Sequence, residues 1–167
     1  MTIEEAIKAA IAMEIKIRDI YLEAAAVVND NVGKRIFEML GNDEQHHIDY
    51  LQHKIEHLQN TGKIVPERLE SAIPSREILD QVISKIRPLV ADNFHGLKQQ
   101  MLSRALTVEI ETSNFYQKMV DELPSAGKQL FARFLEIENN HIKAVEFELD
   151  YINKTGYWFD FKEFDME

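Results

Sequence analysis

Residues 33–62 read GKRIFEMLGNDEQHHIDYLQHKIEHLQNTG, and residues 127–156 read GKQLFARFLEIENNHIKAVEFELDYINKTG. Laid over one another at a shift of 94, without a gap, they share eight identities in thirty positions. These are Gly33/Gly127, Lys34/Lys128, Phe37/Phe131, Glu44/Glu138, His47/His141, Ile48/Ile142, Thr61/Thr155 and Gly62/Gly156. Background composition gives about two. In each stretch apolar residues return at steps of three and four, Phe37, Leu40, Leu51, Ile55 and Leu58 in one, and Phe131, Phe134, Val145, Leu149 and Ile152 in the other. That is the period of a helix burying one face. Asp30 precedes the first, Pro124 suits the first turn of the second, and each ends at Thr-Gly, a usual helix stop.

The same duplication extends upstream. A first helix is predicted over 3–28, opening after Thr2 with Glu5 three residues on, a capping-box pattern, and carrying Ile3, Ile7, Ile11, Ile17, Ala25 and Val28 on its stripe. Another starts after Asp92 and carries Leu97, Leu102, Ala105, Thr112 and Val120. At a shift of 95, Glu14 falls on Glu109 and Tyr21 on Tyr116. Each half is therefore one helical hairpin, 3–62 and 92–156, related to the other by a pseudo-twofold axis. The crossover 63–91 holds Pro66, Pro74 and Pro88 and a short helical stretch near 75–86. Short connections at 29–32 and 121–125 with one long crossover predict an all-α, antiparallel four-helix bundle of ferritin-like connectivity, one domain over 1–167. The extension 157–167 holds Tyr157, Trp158, Phe159, Phe161 and Phe164, too aromatic a run for a free tail. It is expected to be ordered against the bundle or a second subunit, and the protein to be at least a homodimer.

Composition narrows the chemistry. A net charge of −10 sets a repulsive field against a phosphate backbone, which excludes general nucleic-acid binding. The chain has no cysteine, so disulfides, thiolate metal sites, a catalytic thiol and cysteine-held iron–sulfur centres are excluded. Glu4, Glu5 and Glu14 interrupt the apolar residues of the first twenty positions, unlike a signal peptide or a membrane span. A soluble cytoplasmic protein with carboxylate and imidazole metal chemistry is the expectation.

Each hairpin offers one glutamate from its first helix and a Glu-x-x-His from its second: Glu14 with Glu44 and His47, Glu109 with Glu138 and His141. A three-residue step turns the helix by about 300°, which leaves both side chains of the motif on one face. Composition alone supplies about 0.7 such motifs by chance, so one would carry no weight. Two, at equivalent places of a duplication, do. The four glutamates also occupy the stripes that otherwise hold Ile, Leu, Phe and Val. Carboxylates facing one core repel each other and lose their hydration, and cations are the natural remedy. Four glutamates, two neutral histidines and two divalent ions sum to zero, and this donor set suits Fe, Mn or Zn better than Ca or Mg. Tyr21 and Tyr116, each seven residues after a glutamate, read either as core aromatics or as donors to the site carboxylates. His46, His53, His57 and His95 lack a matching partner in the other half and read as solvated or locally bonded.

Taken together, Glu14 with Tyr21, Glu44-x-x-His47, Glu109 with Tyr116, and Glu138-x-x-His141 resemble the diiron ligand set of the rubrerythrin branch of the ferritin-like superfamily, over nearly the whole chain up to Gly156. The resemblance implies a carboxylate-bridged pair of iron ions, with Glu44 and Glu138 as bridges, Glu14 and Glu109 as terminal ligands, and one histidine for each metal. It also implies reduction of hydrogen peroxide or, in other relatives, oxidation of ferrous iron by dioxygen or peroxide, with iron handling or storage as the outcome. A metal-stabilised bundle without turnover, or one acting on an organic substrate, is a third reading. Two departures stand out. The rubredoxin-like domain held by four cysteines is missing, so electrons must come from a separate donor protein. Thr112 stands where rubrerythrins carry a further carboxylate that supports redox-linked movement of one iron.

Overall fold

The computed structural model describes residues 1–65, 67–85 and 96–161, and all regular structure among them is helical. The elements are α1 (Ile3–Val27), α2 (Asn31–Thr61), α3 (Arg76–Lys85), α4 (Leu97–Glu122) and α5 (Ser125–Thr155). Pro66, Pro88, Asp92, His95 and Phe164 lie outside the described residues.

Local chemistry sets the ends. Thr2 and Glu5 close the expected capping box on α1. The Asp30 side chain accepts from Val32 N and Gly33 N at the start of α2, satisfying two of the donors a helix N-terminus leaves free. Helices α2 and α5 end on Gly62 and Gly156 at φ 72° and 76°, left-handed values that a side chain rarely adopts. Helix α4 starts later than Asp92 suggests. Its first helical residue is Leu97, with Gly96 N–H donating to Gln99 Oε1.

The helices pack as two antiparallel pairs, α1 on α2 and α4 on α5, and the pairs meet where α1 lies on α4. Gln59 near the end of α2 reaches Glu4 near the start of α1, and Lys98 at the start of α4 reaches Gly156 O past the end of α5. The core is divided. One apolar cluster holds Ile17, Tyr21, Phe37, Leu40, Leu102, Ala105 and Val145, the other Ile7, Ala10, Leu51, Tyr116, Phe131 and Phe134. On α1, α4 and α5 the predicted ligands sit between the residues given to one cluster and those given to the other, so one polar layer separates two greasy halves.

Past Gly156, Trp158 and Phe161 are buried while Tyr157 is 73% exposed. The indole meets Phe37 edge-on with ring centroids 5.2 Å apart. It lies so close to Gly33 that a Cβ there would come within 2.5 Å of it, which accounts for glycine at this position. The part of the extension that is described thus lies against its own helices.

Candidate metal centre

Glu14, Glu44, His47, Glu109, Glu138 and His141 are all fully buried. The structure brings them together as two overlapping sets. In one, ligand atoms of Glu14, Glu44, His47 and Glu138 lie within 4.8 Å of one another; in the other, those of Glu44, Glu109, Glu138 and His141 do. Glu44 and Glu138 belong to both, the arrangement expected of carboxylates shared between two ions. His47 Nδ1 lies 3.1 Å from Glu14 Oε2 and 2.9 Å from Glu44 Oε2. His141 Nδ1 lies 2.7 Å from Glu44 Oε1, yet neither atom finds a partner in hydrogen-bonding geometry.

Six buried polar atoms are left without a hydrogen bond in this layer: Glu44 Oε1, His47 Nε2, Glu109 Oε2, both oxygens of Glu138, and His141 Nδ1. Buried donors and acceptors are seldom left so, because each costs the free energy of its lost hydration. A set of unpaired oxygens with an imidazole nitrogen, converging within ligand distance, fits a divalent cation that takes both donor types.

Tyr21 and Tyr116 cross between the hairpins. Tyr21 Oη donates to Glu109, and Tyr116 Oη donates to Glu14. Burial and the neighbouring carboxylates push both phenols well above their ordinary value, so each stays a donor. Of the two sequence readings, the geometry favours bonding to site carboxylates. His46 and His53 are exposed and His57 half-buried, and none of them belongs to these sets.

The protonation pattern differs from four bare carboxylates. Burial, with the charge of Glu14, pushes Glu44 up to about 8, and burial with Glu44 and Glu109 pushes Glu138 well up. Burial raises Glu14 and Glu109, but the influence of Glu44, His47 and Tyr116 around the first and of Glu138, His141 and Tyr21 around the second outweighs it, and both fall below the ordinary value. Burial disfavours imidazolium, but Glu44 and Glu14 lift His47 to about 10, and Glu44 and Glu138 lift His141 well above its usual range. Without metal these shifts favour anionic Glu14 and Glu109, protonated Glu44 and Glu138 and charged histidines, which brings the layer toward neutrality. Protons and the two histidines are thus the metal-free counterweight to the carboxylates' repulsion, beside the cations to which the sequence points.

Asp43 was not singled out from the sequence. It is 1% exposed, its Oδ2 is 2.7 Å from His141 Nε2, and Oδ1 and Oδ2 accept from Ala72 N and Ser71 Oγ of the crossover. Burial opposes its charge, but the hydrogen bond and charge of His141 hold it well below the usual carboxylate range. Its position beside Glu44 was the available signal. The shift of 94 hides it, since the matching residue is Ile137.

Thr112, at the place of the further rubrerythrin carboxylate, is buried and turns its hydroxyl back to Val108 O at 2.9 Å. Among the described residues no helix is long and apolar enough to cross a membrane. No family model matches the chain, and no curated protein is found to be similar to it.

Proposed function

We propose that this chain is a ferritin-like, non-haem diiron oxidoreductase that reduces hydrogen peroxide in the manner of rubrerythrins, with electrons from a separate donor protein. One observation carries the reading: two four-residue Glu/His sets, each with three residues from one hairpin and one from the other, share Glu44 and Glu138 inside a sealed core. Two ferrous ions bound there would supply the two electrons that, with two protons, convert hydrogen peroxide to two molecules of water.

The chain's own residues prepare that chemistry. Glu14 and Glu109 are held anionic, each with one oxygen on a tyrosine of the opposite hairpin, which orients the carboxylate; the second oxygen of Glu109 is left for a metal, while that of Glu14 meets His47 Nδ1. Glu138, with neither oxygen engaged, is free to span two ions. Asp43 orients His141. The apolar clusters on either side keep bulk water from the layer. Asp43 also lines a cavity of about 390 Å³ walled by Arg35, Met39, His46, Ala72 and Phe161. A small oxidant in that cavity stands one side chain from the histidines.

Thr112 favours a second reading, in which the same centre oxidises incoming ferrous iron for handling or storage. Its hydroxyl is committed to the helix backbone, so the position offers no carboxylate for a redox-linked shift. Anaerobic loading with ferrous iron, followed by stopped-flow peroxide titration, tests the first reading. Two irons oxidised per peroxide consumed, with turnover on adding a reductant, supports it; no bound iron refutes it. Mass photometry separates the readings further, since storage needs a closed shell and peroxide reduction needs no more than the expected dimer.

A further inference from the structure

The duplication makes the two halves of the centre equal in ligands, but it does not make them equal in surroundings. Asp43 matches Ile137 in the repeat, and among the described residues hairpin two brings no carboxylate of its own to the outer nitrogens of the histidines. The single carboxylate leans to one side: Oδ2 is 2.7 Å from His141 Nε2 and 3.6 Å from His47 Nε2. The first is a hydrogen bond. The second is too long to be one, and His47 Nε2 is left unpartnered in the core.

The near sides of the rings differ in the opposite sense. His47 Nδ1 is engaged with Glu14 and Glu44, so a metal there must first break contacts the site makes with itself. His141 Nδ1 lies 2.7 Å from Glu44 Oε1 but out of hydrogen-bond alignment, and Glu109 Oε2 and both oxygens of Glu138 make no hydrogen bond either. On the His141 side the ring is anchored from behind and faces carboxylates it does not hydrogen-bond; on the His47 side it is loose behind and hydrogen-bonded in front. Anchoring by Asp43 fixes the tautomer that leaves Nδ1 for a metal and makes the imidazole a better donor.

From this we infer that the two metal positions fill in order: the position of Glu109 and His141 takes the first ion, that of Glu14 and His47 the second, and Asp43 is the positioning residue that sets the order. Outer-shell partners of this type change metal affinity about 10–100-fold, and that is the separation expected between the two steps. The inference rests on the dinuclear reading above, and its test distinguishes the two.

The test uses Co2+, which takes mixed nitrogen and oxygen ligands and binds without oxidation. Calorimetric titration of the metal-free protein should show two steps, and crystals given one equivalent should place the anomalous peak beside His141 and Glu109. Asp43→Asn keeps the shape and removes the charge; it should weaken the first step about tenfold and draw the two steps together. Ser71→Ala, which leaves Asp43 in place but removes one of its anchors, should do the same to a smaller degree and covers the case in which Asp43→Asn fails to fold. A first peak beside His47 and Glu14, two ions entering in one indivisible step, a peak between Asp43 and the outer nitrogens of both histidines, or unchanged steps in both variants would overturn the order. With two equal sites the dinuclear reading survives and only the order falls; with no bound Co2+ both fall.

Discussion

Glu148 lies in the core on α5, away from the metal layer, 1% exposed, with Oε2 accepting from Phe159 N at 3.1 Å and Oε1 without a partner. Burial pushes its carboxyl from 4.5 up to about 8, with the charge of Asp160 adding to the rise against the bond from Phe159. A group that binds its proton more tightly folded than unfolded contributes stability that is complete below the unfolded value and lost as pH rises through the folded one. Between 4.5 and about 8 that loss accumulates at 1.36 kcal/mol per pH unit, reaching roughly 3 kcal/mol at pH 7 and approaching roughly 5 kcal/mol at its limit. Glu148→Gln keeps an acceptor for Phe159 N and cannot ionise. Its advantage over the wild type should be near zero at pH 4.5, grow by about 1.4 kcal/mol per unit through neutrality and flatten above pH 8. Urea unfolding of both proteins from pH 4.5 to 9, metal-free, measures this difference, and subtracting the wild type cancels the titration of the metal layer. A constant offset, or a variant that loses ground as pH rises, would show that Glu148 is not held protonated in the core.

Three other outcomes are expected. Replacing Glu44 or Glu138 by Ala should lower bound metal from two equivalents to at most one and abolish peroxide-driven oxidation, while His53→Ala changes neither; metal analysis and stopped-flow absorbance report both. Filling the metal-free centre at pH 7 should release several protons for two divalent ions, because Glu44 at about 8, His47 at about 10 and the raised Glu138 and His141 give up the protons they hold when they become ligands. Affinity should therefore rise with pH, and calorimetry in buffers of different ionisation enthalpy counts the protons. Gly33→Ala drives a methyl into the Trp158 indole and should cost roughly 1–3 kcal/mol. Trp158 is the only tryptophan, so a red shift of its emission on substitution reports the displaced packing directly.

What the sequence discloses follows from what periodicity measures. A stripe repeating every three to four residues says which face is buried, and a duplication says which positions are equivalent; Glu14, Glu44, His47 and their repeats satisfied both tests. Helix ends were legible where one residue dictates the backbone, as at Gly62 and Gly156, and less so at the start of α4, where the bond that closes the turn comes from Gln99 rather than from an acidic cap. Asp43 escaped because its meaning depends on a ring from the other hairpin and on Ser71 and Ala72 in the crossover, which follows no repeat. The proton balance escaped for a similar reason, since the histidine shifts are set by distances between helices and not by spacing within one.

Lys54 and Glu148 show where the boundary falls. They are equivalent at the shift of 94, both 1% exposed, on the stripes that carry His47 and Leu51 in one half and His141 and Val145 in the other. Lys54 Nζ donates to Val65 O, and Glu148 Oε2 accepts from Phe159 N; each bond spans eleven residues, across Thr61-Gly62 in one half and Thr155-Gly156 in the other. The two bonds thus sit at equivalent places just past the last helical residue of each half, although the segments that follow share no identity there. A donor and an acceptor do the same task because one segment presents a carbonyl and the other an N–H. Periodicity reveals that such a residue is buried; whether it donates or accepts follows from the coil it holds, and a pattern of identities discards that pair as a mismatch.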